Sequence, residues 1–164
     1  MKKVLLLLAI GLCVVAVALA AADFSGTWVV NAEKTTAANP APPAGGGGGG
    51  GGRGGGGMGA GELTIKMTAT EMTTSQTMGQ NLQEVKYVLD GKENTVNMGR
   101  GDLKYKATWT ADVLVIAGTQ AGRNGDTPYK AEYSLSADGK TLTMTRTSQG
   151  PNGEVVRKTI YDKK

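Results

Sequence analysis

From residue 62 onward, apolar and polar side chains alternate with a period of two, the pattern of strands covered on one face. In the first such run Leu63, Ile65 and Met67 share one face, while Thr64, Lys66 and Thr68 share the other. Residues 72–78 are mostly Thr, Ser and Gln, which predicts a poorly covered strand or one at a sheet edge. Residues 83–89 turn Val85, Tyr87 and Leu89 inward, and 94–98 make a short strand. In 103–110, Leu103, Tyr105, Ala107 and Trp109 oppose Lys104, Lys106, Thr108 and Thr110. Residues 113–118 are apolar on both faces, as a central strand is. Residues 129–135 point Tyr129, Ala131, Tyr133 and Leu135 inward, and 141–147 put Leu142, Met144 and Arg146 on one face.

Two further runs bracket this series. Residues 24–31 (FSGTWVVN) read as the first strand and 154–161 as the last. Asp90-Gly91 and Asp138-Gly139 are tight-turn pairs, and Ala111-Asp112 and residues 150–153 supply further turns. Outside the N-terminal stretch no segment carries an apolar period near 3.6, so no helix is expected there. The sum is an all-β fold: an antiparallel up-and-down meander of about 8–10 strands closing into a single barrel. Closure would come from pairing the first strand with the last, which also removes exposed ladder edges.

Residues 1–22 have the build of a secretory signal peptide: Lys2 and Lys3, an apolar run, then small residues suited to cleavage after 20 or 22. Cys13 lies inside the apolar run behind Leu12, which argues against lipid attachment. The expected mature domain is 23–164, exported to the periplasm or beyond, with no membrane span once the leader is removed. It is interrupted at 37–61 by a Pro/Gly-rich stretch that cannot bury a core and reads as a flexible loop.

Composition narrows the chemistry. The chain has no histidine, and Cys13 is its one cysteine, so a mature domain would lack Ser-His-Asp and Cys-His machinery, disulfides and the common zinc ligands. No cofactor and no metal are expected. The formal charge of +4 falls to +2 (16 basic minus 14 acidic) without Lys2 and Lys3, which gives no electrostatic case for nucleic acid. Asp90, Asp102, Asp112, Asp126 and Asp138 sit at turns and Glu132 faces outward, so no facing carboxylate pair for glycoside chemistry emerges. An enzyme is therefore not expected.

Phe24-Ser25-Gly26-Thr27-Trp28 resembles the opening strand of the calycin barrels, the lipocalins and fatty-acid-binding proteins, in which a Gly-x-Trp starts strand one. Residues 155–163 (VVRKTIYDK) are similar to the closing strand of the fatty-acid-binding branch. The chain also resembles a group of exported bacterial proteins with an FSGTW start and an ADGKTLT hairpin, here 137–143. The resemblance implies a barrel plugged by Trp28. It does not carry over the helix pair of the fatty-acid-binding branch, whose place the glycine stretch takes. Nor does it carry over the arginine of the carboxylate clamp, since Thr159 stands there.

Two sets of residues follow. Gly26, Trp28, Arg157 and Tyr161 are expected to close the barrel, with Arg157 stacked on a buried Trp28. Met67, Tyr87, Tyr105, Trp109, Tyr133 and Met144 share inward parity and are candidates to line a cavity, apolar walls with a few hydroxyls. Arg146 joins them: an inward guanidinium needs a carboxylate, a bound anion or an opening to water. The functional expectation is an exported, non-catalytic barrel for a small apolar or amphipathic molecule. The rival is an envelope structural or protein-interaction module with a filled core and no ligand.

Overall fold

The computed structural model describes residues 22–40, 62–78, 81–99, 101–122, 125–150 and 153–164. The expected leader through Ala21, with Cys13, and residues 41–61 of the expected Pro/Gly-rich loop lie outside the described residues. Among the described residues ten strands and one short helix follow in order: β1 (Gly26–Val30), α1 (Ala32–Ala38), β2 (Glu62–Met67), β3 (Glu71–Met78), β4 (Asn81–Val88), β5 (Glu93–Asn97), β6 (Asp102–Thr110), β7 (Val113–Gln120), β8 (Thr127–Leu135), β9 (Thr141–Gly150) and β10 (Gly153–Lys163). They form one antiparallel sheet in the order β4-β3-β2-β1-β10-β9-β8-β7-β6-β5. Every link but β1–β10 joins consecutive strands, which is the expected meander. The expected pairing of first and last strands is present, with Trp28 opposite Lys163 and Val30 opposite Tyr161.

The barrel is nearly closed, not fully closed. β4 and β5 are the two ends of the ladder, so the expectation that closure would leave no edge is corrected at this seam. Side chains bridge it. The Gln83 amide donates to the Met98 carbonyl at 2.7 Å, and the Val88 N–H donates to the Tyr105 hydroxyl at 2.7 Å. Those contacts satisfy edge groups that no strand partner reaches.

The core is the inside of the barrel. Side chains of inward parity are buried along the strands, as in β6, where Leu103, Tyr105 and Ala107 are covered and the lysines between them exposed. β3 lies between β2 and β4 and is no edge, a correction to its polar reading. Met72 is fully buried and Thr74 donates to the Val85 carbonyl at 3.4 Å, so its polar residues serve the inner wall. At Gly118, which opposes Tyr105 on one side and Tyr129 on the other, β7 lies close against the backbone of β6. A Cβ there would overlap the Lys104 carbonyl oxygen, so only glycine permits this approach.

α1 was not expected, and residues 37–39 belong to its end and cap, so the expectation of a loop starting at 37 is corrected there. The helix has no buried residue and hence no apolar period to detect. Its N-cap is Asn31, whose side chain accepts from the Lys34 N–H at 2.8 Å. What holds it in place is the edge of β10 beyond the short β1. The Asn31 N–H donates to the Ile160 carbonyl, and the Thr35 hydroxyl both accepts from Ile160 N–H and donates to its carbonyl. Asn39 does the same for Lys158, at 2.8 and 2.6 Å. Four helical residues rise about 6 Å and two strand residues about 6.6 Å, so side chains spaced four apart match a strand edge.

Candidate ligand site

The barrel has two unlike ends. The turns after β2, β4, β6 and β8, together with Phe24 and Lys164, lie at a closed end. The C-terminal ends of β3, β5, β7 and β9, with α1, define the opposite rim.

The closed end is aromatic. Trp28 is fully buried and its indole N–H donates to the Phe24 carbonyl at 2.9 Å, which satisfies its one donor. Phe24 stacks on Trp109 at 5.7 Å and tilts against Tyr133 at 6.2 Å. Met67 is half-buried there and its sulfur accepts from the Phe24 N–H at 3.3 Å. Gly26 has φ of 142°, and Lys163 packs against the space a Cβ would need. The cation over the Trp28 ring is Lys163, with Nζ 5.3 Å from the centroid. Arg157 does not take that role: it is exposed and pairs with Arg146 in register, six residues up β10. The strand runs to Lys163, two residues past the expected end, and that extension sets Trp28 opposite a lysine.

Above this floor lies a belt of tyrosines. Tyr87, Tyr105, Tyr133 and Tyr161 are buried, as is Met144 beside Tyr133 on the next strand. Tyr87 and Tyr105 meet edge to face at 5.4 Å. Burial raises the phenols: Tyr161 is pushed up to about 12, and Tyr87, Tyr105 and Tyr133 all move upward. For Tyr87 and Tyr133 the neighbouring tyrosine hydroxyls add to the rise, while the Arg146 charge opposes it. The hydroxyls are therefore neutral donors and acceptors throughout the physiological range.

Arg146 enters this belt from β9. Its guanidinium carbon stands 5.0 Å from the Tyr129 ring centroid, and the residue is half-buried. The ion pairs among the described residues join Lys34 to Asp162, Lys86 to Glu71, Lys130 to Glu132 and Lys164 to Glu62, so none involves Arg146 or Arg157. The two arginines are direct cross-strand neighbours on the inner face. The candidate residues Met67, Tyr87, Tyr105, Trp109, Tyr133, Met144 and Arg146 thus come together on one inner wall. Sequence reading missed Phe24, which precedes the regular strand, and Gln76, whose strand looked like an edge. The Gln76 amide nitrogen is buried with no hydrogen-bond partner among the described residues.

A separate cleft of about 280 Å³ lies on the outer face, lined by Glu93, Lys104, Lys106, Gly118 and Asp126 among others. Its charged side chains are exposed, and Tyr105 of the tyrosine belt is among its lining residues.

These features define a nearly closed antiparallel meander β-barrel with an amphipathic interior. Comparison with solved structures gives the same fold. Similar structures include a fatty acid transporter designated REP1-NXSQ, at TM-score 0.55 and 12% identity over 88% of this chain and 98% of that one. Zebrafish ileal bile acid-binding protein complexed with cholic acid matches at TM-score 0.55 and 17% identity, over 86% of this chain and 98% of that one. Apo lipid binding protein 8 of Caenorhabditis elegans matches at TM-score 0.55 and 12% identity, over 86% and 95%. No protein-family model matches the chain, and no curated protein sequence does.

Proposed function

We propose that the mature domain is an exported, non-catalytic barrel that holds a small amphipathic molecule against its inner wall. The observation that carries this reading is the inner wall itself: an arginine set among tyrosine hydroxyls, above an aromatic floor, with no carboxylate paired to it among the described residues. An apolar surface with a few convergent polar groups is the usual make-up of a small-molecule site. The similar structures support it, since they are those of a fatty acid transporter, a bile acid-binding protein and a lipid-binding protein. Export is supported by the basic start, apolar run and small residues of 1–22.

Mass spectrometry of an organic extract tests the reading, using mature protein purified without denaturation from its own source. A small amphiphile at near-stoichiometric yield is expected, released from wild type and depleted in a folded Arg146→Gln variant. An extract equal to that of a blank purification contradicts the proposal.

A further inference from the structure

The interior polarity has a direction, and the direction predicts how a ligand lies. The floor carries Phe24, Trp28, Trp109, Leu114 and Leu142, among which no inward side chain is charged. Towards the rim the inward positions become Tyr129, Gln76, Arg146 and Arg157. Arg146 and Arg157 face each other directly across β9 and β10. Opposed side chains on antiparallel strands have Cβ atoms about 5 Å apart, and like charges so placed repel. Along β2 to β10 the acids of the described strands fall on outward parity, as with Glu62, Glu71, Glu84, Glu132, Glu154 and Asp162, so the wall offers this pair no inward counter-charge. An oxyanion between two guanidiniums would relieve the repulsion through charge-assisted hydrogen bonds. Thr159, the next inward residue of β10 towards the floor, is uncharged, so the charge stops short of the floor.

We infer that the barrel takes its amphiphile tail first, with an anionic head, a carboxylate or a related oxyanion, held near the rim between Arg146 and Arg157. The chain then runs past the tyrosine belt towards Trp28 and Trp109. The inference rests on the carrier reading above and adds to it a charge class and an orientation. Arg146 is half-buried over Tyr129 and gives the head its fixed partner, while the exposed Arg157 supplies the second guanidinium from the mouth.

Because Trp28 and Trp109 are the two tryptophans of the chain and both lie at the closed end, their emission reports which end of a ligand is deep. Wild-type protein would be loaded with 5-doxylstearate or 16-doxylstearate, with occupancy counted by electron spin resonance. At equal occupancy the 16-doxyl label, near the tail end, is expected to quench more strongly than the 5-doxyl label, near the head. The reverse order overturns the orientation. The same probes as methyl esters test the head. Arg146→Gln and Arg157→Gln should each weaken the acid about tenfold or more and leave the ester unchanged. Wild type binding acid and ester alike would overturn the anion assignment while leaving the carrier reading standing. Failure of acid and ester alike to bind would overturn both.

Discussion

At the residue scale, the interior is a set of neutral hydroxyls kept neutral by burial. The phenol of Tyr161 is pushed up to about 12, and those of Tyr87 and Tyr133 also rise, with burial the first cause in each. A phenol whose folded pKa lies above its unfolded value near 10 adds stability that is fully present below pH 10. That contribution is lost as pH rises towards about 12. Absorbance at 295 nm should therefore lag that of free tyrosine between pH 10 and 12, and tyrosinate should appear together with loss of the far-ultraviolet β signal. Tyrosinate formed near pH 10 with the sheet intact would mean that these rings are open to water. Lys163 shows what residue types alone leave undecided. The stack on Trp28 needed a cation from the last strand, and Arg157, Lys158 and Lys163 all qualify by chemistry. Register decides among them, and register came from a strand end that alternation could not locate.

At the element scale, the strands were readable because each has one covered and one wet face. α1 was not, because it touches the barrel only through polar side chains. Thr35 and Asn39 satisfy the β10 edge at Ile160 and Lys158, where β1 is too short to reach. Asn39→Ala should cost about 1 kcal/mol, since the released groups are exposed and water replaces part of the bonding. Amide exchange gives the sharper reading: the Lys158 N–H should speed up while the Val155 N–H, which faces away from that edge, should not. Equal protection at Lys158 in the variant would contradict strand mimicry. Gly118 is the other element-scale feature. In Gly118→Ala the new methyl meets the Lys104 carbonyl oxygen and the Tyr105 Cα, backbone atoms that cannot swing aside. A loss at or above the upper end of the usual 1–3 kcal/mol for overpacking, about 3 kcal/mol, is expected in denaturant unfolding. A neutral change would mean that the close approach of β6 and β7 relaxes freely. Sequence reading took Gly118 as no more than the end of an apolar strand, since close approach of two backbones leaves no trace in periodicity.

At the scale of the whole molecule, the meander and the joining of first to last strand were readable from hairpin turns and from the two terminal strands. The seam was not. β4 and β5 are consecutive, and nothing in their alternation says that they part and are bridged by Gln83 and Tyr105 instead of a ladder. The inner wall was readable by parity, which placed Met67, Tyr87, Tyr105, Trp109, Tyr133, Met144 and Arg146 on the inward face. Its division into an aromatic floor and a cationic rim was not, because that division depends on which turn lies at which end. The central claim is that this inner wall receives an amphiphile. Titration of labelled mature protein with dodecanoate, followed by methyl NMR, tests it most directly. The account predicts saturable shifts at the inward methyls of Leu114, Leu142 and Met144, with the outward Val115 and Thr143 unmoved. Shifts confined to outward methyls, or none at saturating dodecanoate, would contradict it.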